Sequence, residues 1–335
     1  MVHYRAPSWL RVPGALGAHV QTIWPALYCH PRADQAGEAV RYQRERWDTP
    51  DGDFIDVDGL RCGGDLAATH RPLLVLFHGL EGSSQSHYAR AFAHWAQAQG
   101  WDYVVPHFRG CSGEINRTVR AYHSGDHEEV DWIVRRLALR HPGPVLVVGV
   151  SLGGNALLRW AQEAGSQAVS VVKAVVAISS PLDLTAAGQA LGRGFNRQVY
   201  TRMFLRTLKP KAVLKARAHP GVVKLDALLA ARDLYEYDNA YTAPVHGFAS
   251  TEDYWLRCSA KPGLRGLRDV PALVINARND PFMPAACLPR ADEVGPAVTL
   301  WQPAEGGHVG FPQGRFPGHV ADLPRAVGRW LAQHL

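Results

Sequence analysis

The chain has 335 residues, 47% of them hydrophobic and 20% charged, a balance that suits one large soluble domain and excludes a chain dominated by disorder. No apolar run approaches the roughly 20 residues needed to span a bilayer, and the N-terminal MVHYRAPSWLRVPG lacks the apolar core of a secretory signal, so a cytoplasmic location is expected. The net charge of +6 is concentrated: residues 185–232 hold ten basic side chains against Asp226, which leaves −3 for the remainder and, with no zinc-finger spacing or RNP-like aromatics, argues against nucleic-acid binding.

The five cysteines (Cys29, Cys62, Cys111, Cys258, Cys287) are odd in number and form no C-x-x-C pair, which reads as reduced thiols. Sixteen histidines fall in no H-E-x-x-H or close Cys/His cluster, so neither a metal nor a cofactor is expected.

In chain order, residues 1–40 read as an irregular arm rich in proline, arginine and aromatics, and residues 1–60 as arm plus hairpin. Residues 41–49 alternate, Pro50-Asp51-Gly52 supplies a turn, and 54–60 alternate again. LLVLF at 73–77 is a buried strand leading into HGLEGSS at 78–84. The helix after it places Tyr88, Phe92, Trp95 and Gln99 on one face and stops at Gly100. A third apolar run at 103–105 leads to FRGCSG at 108–113. A helix then opens at Asp126, with Glu129 in a capping-box position, and buries Val130, Ile133, Val134 and Leu137. Strands are expected at 145–150, 171–178, 272–276 and 297–301, and a last helix carries Val327, Trp330 and Leu331. Strand–helix alternation implies an α/β fold with a mostly parallel central sheet and helices on both faces. Residues 185–248, between two core strands, read as an inserted helical lid.

The chemistry centres on residues 145–155, VLVVGVSLGGN. Here G-x-S-x-G stands between a strand and a helix, the context in which the tight turn forces glycine at 149 and 153 and pushes the Ser151 hydroxyl towards substrate. A serine hydroxyl is a poor nucleophile without a base, a group that orients the base, and oxyanion donors. Asp280, in ARNDPF after the 272–276 strand, and His308, in EGGHVG after the 297–301 strand, follow in the order Ser–acid–base. Asp183, after the preceding strand, is the rival acid. The oxyanion donors are expected to be the backbone N–H groups of Leu152 and, from the loop after the first core strand, Leu80. Losing one such donor costs on the order of 3 kcal/mol of barrier.

These segments resemble the YheT-like esterases, relatives of the abhydrolase-domain lipid esterases. HVQTI at 19–23, HGLEGSS, FRGCSG, YHSGD at 122–126, GVSLGG at 149–154, YTAPVHGF at 241–248, RNDPF at 278–282 and GGHVGF at 306–311 carry the likeness across nearly the whole chain. The resemblance implies an α/β-hydrolase fold and a Ser–Asp–His triad at Ser151, Asp280 and His308. One departure is Asn279, where such sequences often have aspartate. The implied substrates are medium-chain esters and glycero- or phospholipids.

Within the insertion, Tyr200, Phe204 and Leu208 share a helical face opposite Arg202, Arg206 and Lys209. The apolar face is expected to line an acyl pocket, with Phe248 or His246 as further wall, and the basic face to meet an anionic membrane or simply solvent. The reading is a serine hydrolase of carboxylic esters. An acyltransferase on the same scaffold and a catalytically silent binding protein remain alternatives.

Overall fold

The apolar runs become the centre of one eight-stranded sheet in the computed structural model, which describes residues 3–31, 40–60 and 70–335. The strands are β1 (Gln43–Asp48), β2 (Phe54–Leu60), β3 (Leu73–Phe77), β4 (Asp102–Pro106), β5 (Val145–Val150), β6 (Ala174–Ile178), β7 (Ala272–Ile275) and β8 (Val298–Trp301). Their spatial order is β1-β2-β4-β3-β5-β6-β7-β8. The β1–β2 and β2–β4 pairs are antiparallel and every pair from β4 to β8 is parallel. The winding reverses at β3, so the crevice for a ligand lies above the carboxyl ends of β3 and β5.

Strand alternation divides the interior into two cores. On β3 and β5, Leu73, Val75, Phe77, Val145 and Val147 face α3 (His127–Arg140) and α4 (Leu152–Ala164). Leu74, Leu76, Leu146 and Val148 face α2 (His87–Gln99) and the final helix Asp322–Leu331. Gly100 ends α2 in the left-handed region, as a helix stop should.

Several expectations change. The strand expected at 171–178 begins only at Ala174, because 168–171 closes a helical turn. The capping box at α3 does not form: Asp126 makes no side-chain cap bond and pairs with Arg120, and Glu129 pairs with the buried Arg109. Guanidinium–carboxylate pairing outcompetes a neutral backbone donor for these acids.

The arm is not irregular throughout, since Ala15–Tyr28 forms helix α1 with Pro25 inside it. Pro25 has no N–H for the Gln21 carbonyl, and the chain passes so close there that a Cβ on Gly310 would clash with that oxygen. Residues 32–39 of the arm, and Cys62, lie outside the described residues. Among the described residues no helix is long and apolar enough to cross a membrane.

Between β6 and β7 the chain forms helices Leu184–Leu191, Arg202–Ala218, Leu225–Ala230, Leu234–Tyr237 and Thr251–Cys258, with π-helical turns at Arg197–Thr201 and Asp238–Thr242. These helices have their own buried cluster, including Leu205, Leu208, Leu228 and Tyr241, and Leu80 packs against both this cluster and the sheet core. Lys209, expected on a free basic face, instead donates to the carbonyls of Leu229 (2.6 Å) and Ala231 (2.9 Å), where the short helix Leu225–Ala230 ends.

Candidate active site

Where β5 turns into α4, Ser151 adopts φ 52° and ψ −120°. Its N–H donates to Ile178 O at 2.8 Å, which ties the turn to β6. A Cβ on Gly149 would sit 2.5 Å from Gly153 O, and one on Gly153 2.5 Å from His78 O. Both glycines of the motif are therefore required by close backbone approach.

The structure brings Ser151, Asp280 and His308 together. His308 Nδ1–H donates to Asp280 Oδ2 at 2.8 Å, and the Ser151 hydroxyl donates to His308 Nε2 at 3.0 Å. Asp280 has no exposed side-chain surface and also accepts from Phe282 N–H at 2.8 Å. The Phe282 ring lies against the imidazole with centroids 4.1 Å apart. Asp183, the rival acid, is used elsewhere: it caps helix Leu184–Leu191 by accepting from Ala186 N–H at 3.0 Å.

Sequence reasoning missed what stands behind these loops. Gln21 and Thr22, buried on α1, hold both. Thr22 Oγ1 accepts from His308 N–H at 2.9 Å, and Gln21 Oε1 accepts from Gly306 N–H at 3.0 Å and from Asn279 Nδ2 at 2.9 Å. Asn279 Oδ1 in turn accepts from Gly307 N–H at 3.0 Å. Asn279 thus donates and accepts in one network, a double role open to an amide and closed to an ionised aspartate. The signal was the HVQTI segment, visible as a motif but carrying no mechanism of its own.

The loop after β3 is held by two tyrosines. Gly79 N–H donates to Tyr88 Oη at 2.9 Å and Glu81 N–H to Tyr122 Oη at 2.8 Å, while Gly82 N–H donates to Gly79 O. Among the described residues the Leu80 N–H between them has no acceptor, and neither has Leu152 N–H in the first turn of α4. His78 is a support: Nδ1–H donates to Gly79 O (2.8 Å), Nε2 accepts from Phe108 N–H (3.1 Å), and burial pushes its pKa down to about 3. It is a neutral imidazole and no proton carrier at neutral pH.

A cavity of about 130 Å³ opens at Ser151 and His308. That is close to the roughly 150 Å³ that takes up a benzene ring. Leu184, Leu191, Phe204, Leu208, Leu234 and Trp255 make it apolar. Phe248 and His246, expected as wall, do not line it; both pack against His123, which does. Asp238 is the acid in the wall, accepting from Thr242 Oγ1 at 2.6 Å and Trp255 Nε1 at 3.0 Å, and burial raises its pKa to about 6. Among the described residues the five non-glycine residues with positive φ are Glu81, Ser151, Ser179, Val309 and Phe311. Ser151 and Ser179 line this cavity, Glu81 and Val309 adjoin its lining residues Leu80 and His308, and Phe311 ends the His308 turn. Such conformations cost about 1–3 kcal/mol each and concentrate where function requires them.

Residues 72–314 match the family model of the alpha/beta hydrolase fold. The "Putative esterase YheT" of Escherichia coli (strain K12) is 38% identical over 98% of this chain and 94% of its own length. The mouse (Mus musculus) "Phospholipase ABHD3" is 28% identical over 93% of this chain and 78% of its own. The solved Pyrococcus furiosus esterase Pf2001 superposes with a TM-score of 0.54 at 18% identity, covering 88% of this chain and 93% of that one, which speaks for the fold alone. The chain belongs to the α/β-hydrolase family and is a carboxylic ester hydrolase of its YheT-like branch.

Proposed function

We propose that the chain is a serine hydrolase that cleaves short- and medium-chain acyl esters, of the acylglycerol or phospholipid-like type, through an acyl-enzyme on Ser151. The observation that carries this reading is the unbroken path from Asp280 through His308 to the Ser151 hydroxyl, 2.8 and 3.0 Å long, at the mouth of an apolar cavity. His308 Nε2 takes the hydroxyl proton as Ser151 Oγ attacks the ester carbonyl carbon. The carbonyl oxygen becomes an oxyanion facing the free N–H groups of Leu80 and Leu152. Collapse of the tetrahedral intermediate releases the alcohol, which takes the proton from His308. Water then repeats the sequence on the acyl-enzyme. Asp280 stays ionised, holding the tautomer with Nδ1–H and stabilising the imidazolium.

The helical insertion acts in this reading as a lid that supplies the acyl pocket and meets the lipid surface. Phe195, Val199 and Met203 are exposed apolar residues at i, i+4 and i+8, beside the exposed Arg202 and Arg206. No acid stands in the first turn of helix Arg202–Ala218 to balance that i, i+4 pair of like charges. Apolar side chains flanked by unbalanced cations suit an anionic bilayer surface.

A p-nitrophenyl ester series of increasing acyl length, run on wild type and Ser151→Ala, tests the mechanism. Ser151→Ala is expected to lose about 10⁶-fold in kcat, and the wild-type optimum to fall at acyl lengths the cavity can hold. Wild-type turnover in the Ser151→Ala protein would overturn the reading.

A further inference from the structure

Glu81 is the residue after Leu80, and it is held in a conformation that a non-glycine residue rarely adopts, with φ 56°. Tyr122 closes on it from both sides, accepting from Glu81 N–H at 2.8 Å and donating its own hydroxyl to Glu81 Oε1 at 2.9 Å. Tyr122 is itself fixed, stacked on Phe108 with centroids 5.1 Å apart and planes 10° apart. The carboxylate does not stop there. Lys211, from the insertion's long helix, places Nζ 2.8 Å from Oε2 and 3.0 Å from Oε1. This ion pair is mostly shielded, with side-chain exposures of 33% for Lys211 and 9% for Glu81. The Leu80 side chain runs in parallel, packing against the sheet core and the insertion's own cluster.

We propose that Glu81 is a positioning residue that aims the Leu80 N–H at the oxyanion, and that Lys211 makes this aim depend on the lid helix being seated. The inference rests on the Ser151 mechanism proposed above and adds to it a link between substrate enclosure and catalytic competence. Gly79 N–H and Glu81 N–H are both committed to tyrosine hydroxyls, and the Gly79 carbonyl, in the same peptide plane as Leu80 N–H, accepts from His78 Nδ1–H and from Gly82 N–H just past Glu81, so the plane is held on one side by fixed partners and on the other through Glu81 and Gly82. Tyr88 belongs to the sheet-borne part and holds one side unconditionally. The other side is held by Tyr122 acting on Glu81, whose carboxylate is neutralised by a cation borne on the lid. Removing that cation leaves an enclosed carboxylate beside the Cys111 thiol, 3.8 Å from Oε1, with a charge that a swing towards water relieves. Such a swing turns the Glu81 backbone out of its strained conformation, and the Leu80 N–H moves with it. The lid thereby reports its position to the oxyanion site through one ion pair.

The test compares Lys211→Met, Lys211→Arg and Glu81→Ala with wild type. Each is assayed on a small water-soluble ester and with an alkyl trifluoromethyl ketone, whose hemiketal oxygen occupies the oxyanion position. Losing a whole oxyanion donor costs about 10²–10³-fold, so mis-aiming it is expected to lower kcat about tenfold in Lys211→Met and up to about a hundredfold in Glu81→Ala. KM for the small ester should stay within twofold. The inhibition constant for the ketone should weaken by the same factor as kcat, and Lys211→Arg should restore most of both. A fall in kcat without matching loss of ketone affinity, in protein whose thermal unfolding is unchanged, would overturn the inference, as would unchanged kcat in Lys211→Met. Ser151→Ala run beside them separates the two levels: turnover surviving there removes the mechanism and the latch together. A dead Ser151→Ala beside a fully active Lys211→Met removes the latch alone.

Discussion

The turns at the carboxyl ends of β5, β7 and β8 and the helices between β6 and β7 line one cavity, yet they come from the sequence by different routes. In the turns, each group facing the cavity is a single residue whose place follows from a local rule. Gly149 and Gly153 admit the sharp bend at Ser151, and Asp280 and His308 each stand a few residues beyond a parallel strand. The helical insertion has no comparable rule. Its cavity wall is assembled from several short elements, and its polar side chains take partners on other elements: Asp238 meets Trp255 across the insertion, and, from far along the chain, Lys211 meets Glu81 and Lys215 donates to Arg120 O. In the proposed mechanism, the chemistry of bond breaking is therefore written in motifs, and the choice of substrate in tertiary packing.

Removing the acid is expected to have the largest effect on the motif-borne turns. Asp280→Ala leaves His308 without the carboxylate that fixes Nδ1–H, and kcat is expected to fall about 10⁴-fold. Because Asp183 caps a helix through Ala186 N–H, it offers no substitute. Measured kcat within tenfold of wild type would move the acid elsewhere and end the claim that motif order alone located it.

Legibility followed locality. The eight strands, α2, α3, α4 and the final helix were all foreseeable because apolar period and glycine or proline stops are short-range signals. The Ser151–Asp280–His308 trio, and the N–H groups of Leu80 and Leu152, lay on the turns those strands required. Three of the failures share one cause. α1 looked irregular because Gly17 and Pro25 argue against a helix locally, while its buried face is paid by contacts with residues nearly 300 positions away, such as Thr22 with His308. The α3 capping box failed because Arg120 and Arg109 reach its two acids from outside the helix. Lys209 looked like surface charge until the end of helix Leu225–Ala230 came within reach of it.

Gln21, on α1, belongs neither to the strand-end turns nor to the insertion. Gln21→Leu keeps the volume but removes the acceptor for Gly306 N–H and Asn279 Nδ2, leaving a buried donor unpaired on the loop that carries His308. A displacement of about 1 Å in a reacting group is enough for a hundredfold loss, and kcat is expected to fall by about that factor without a matching change in KM. If kcat stays within twofold of wild type, α1 is only packing, and the catalytic region ends where the motifs end.

The smallest expected effect belongs to the insertion. Arg202→Gln with Arg206→Gln removes two exposed cations, each worth about 1 kcal/mol near an anionic bilayer. Co-sedimentation with anionic vesicles at low salt should therefore weaken by about thirtyfold, and added salt should narrow the gap between wild type and variant, because exposed charges are screened over about 10 Å at 0.1 M. Equal binding of wild type to anionic and neutral vesicles would sink the membrane reading. The variant should still bind weakly and in a salt-insensitive way through Phe195, Val199 and Met203, since apolar insertion carries no Coulomb term. That residual binding separates a lid that touches lipid from a basic face that only attracts it.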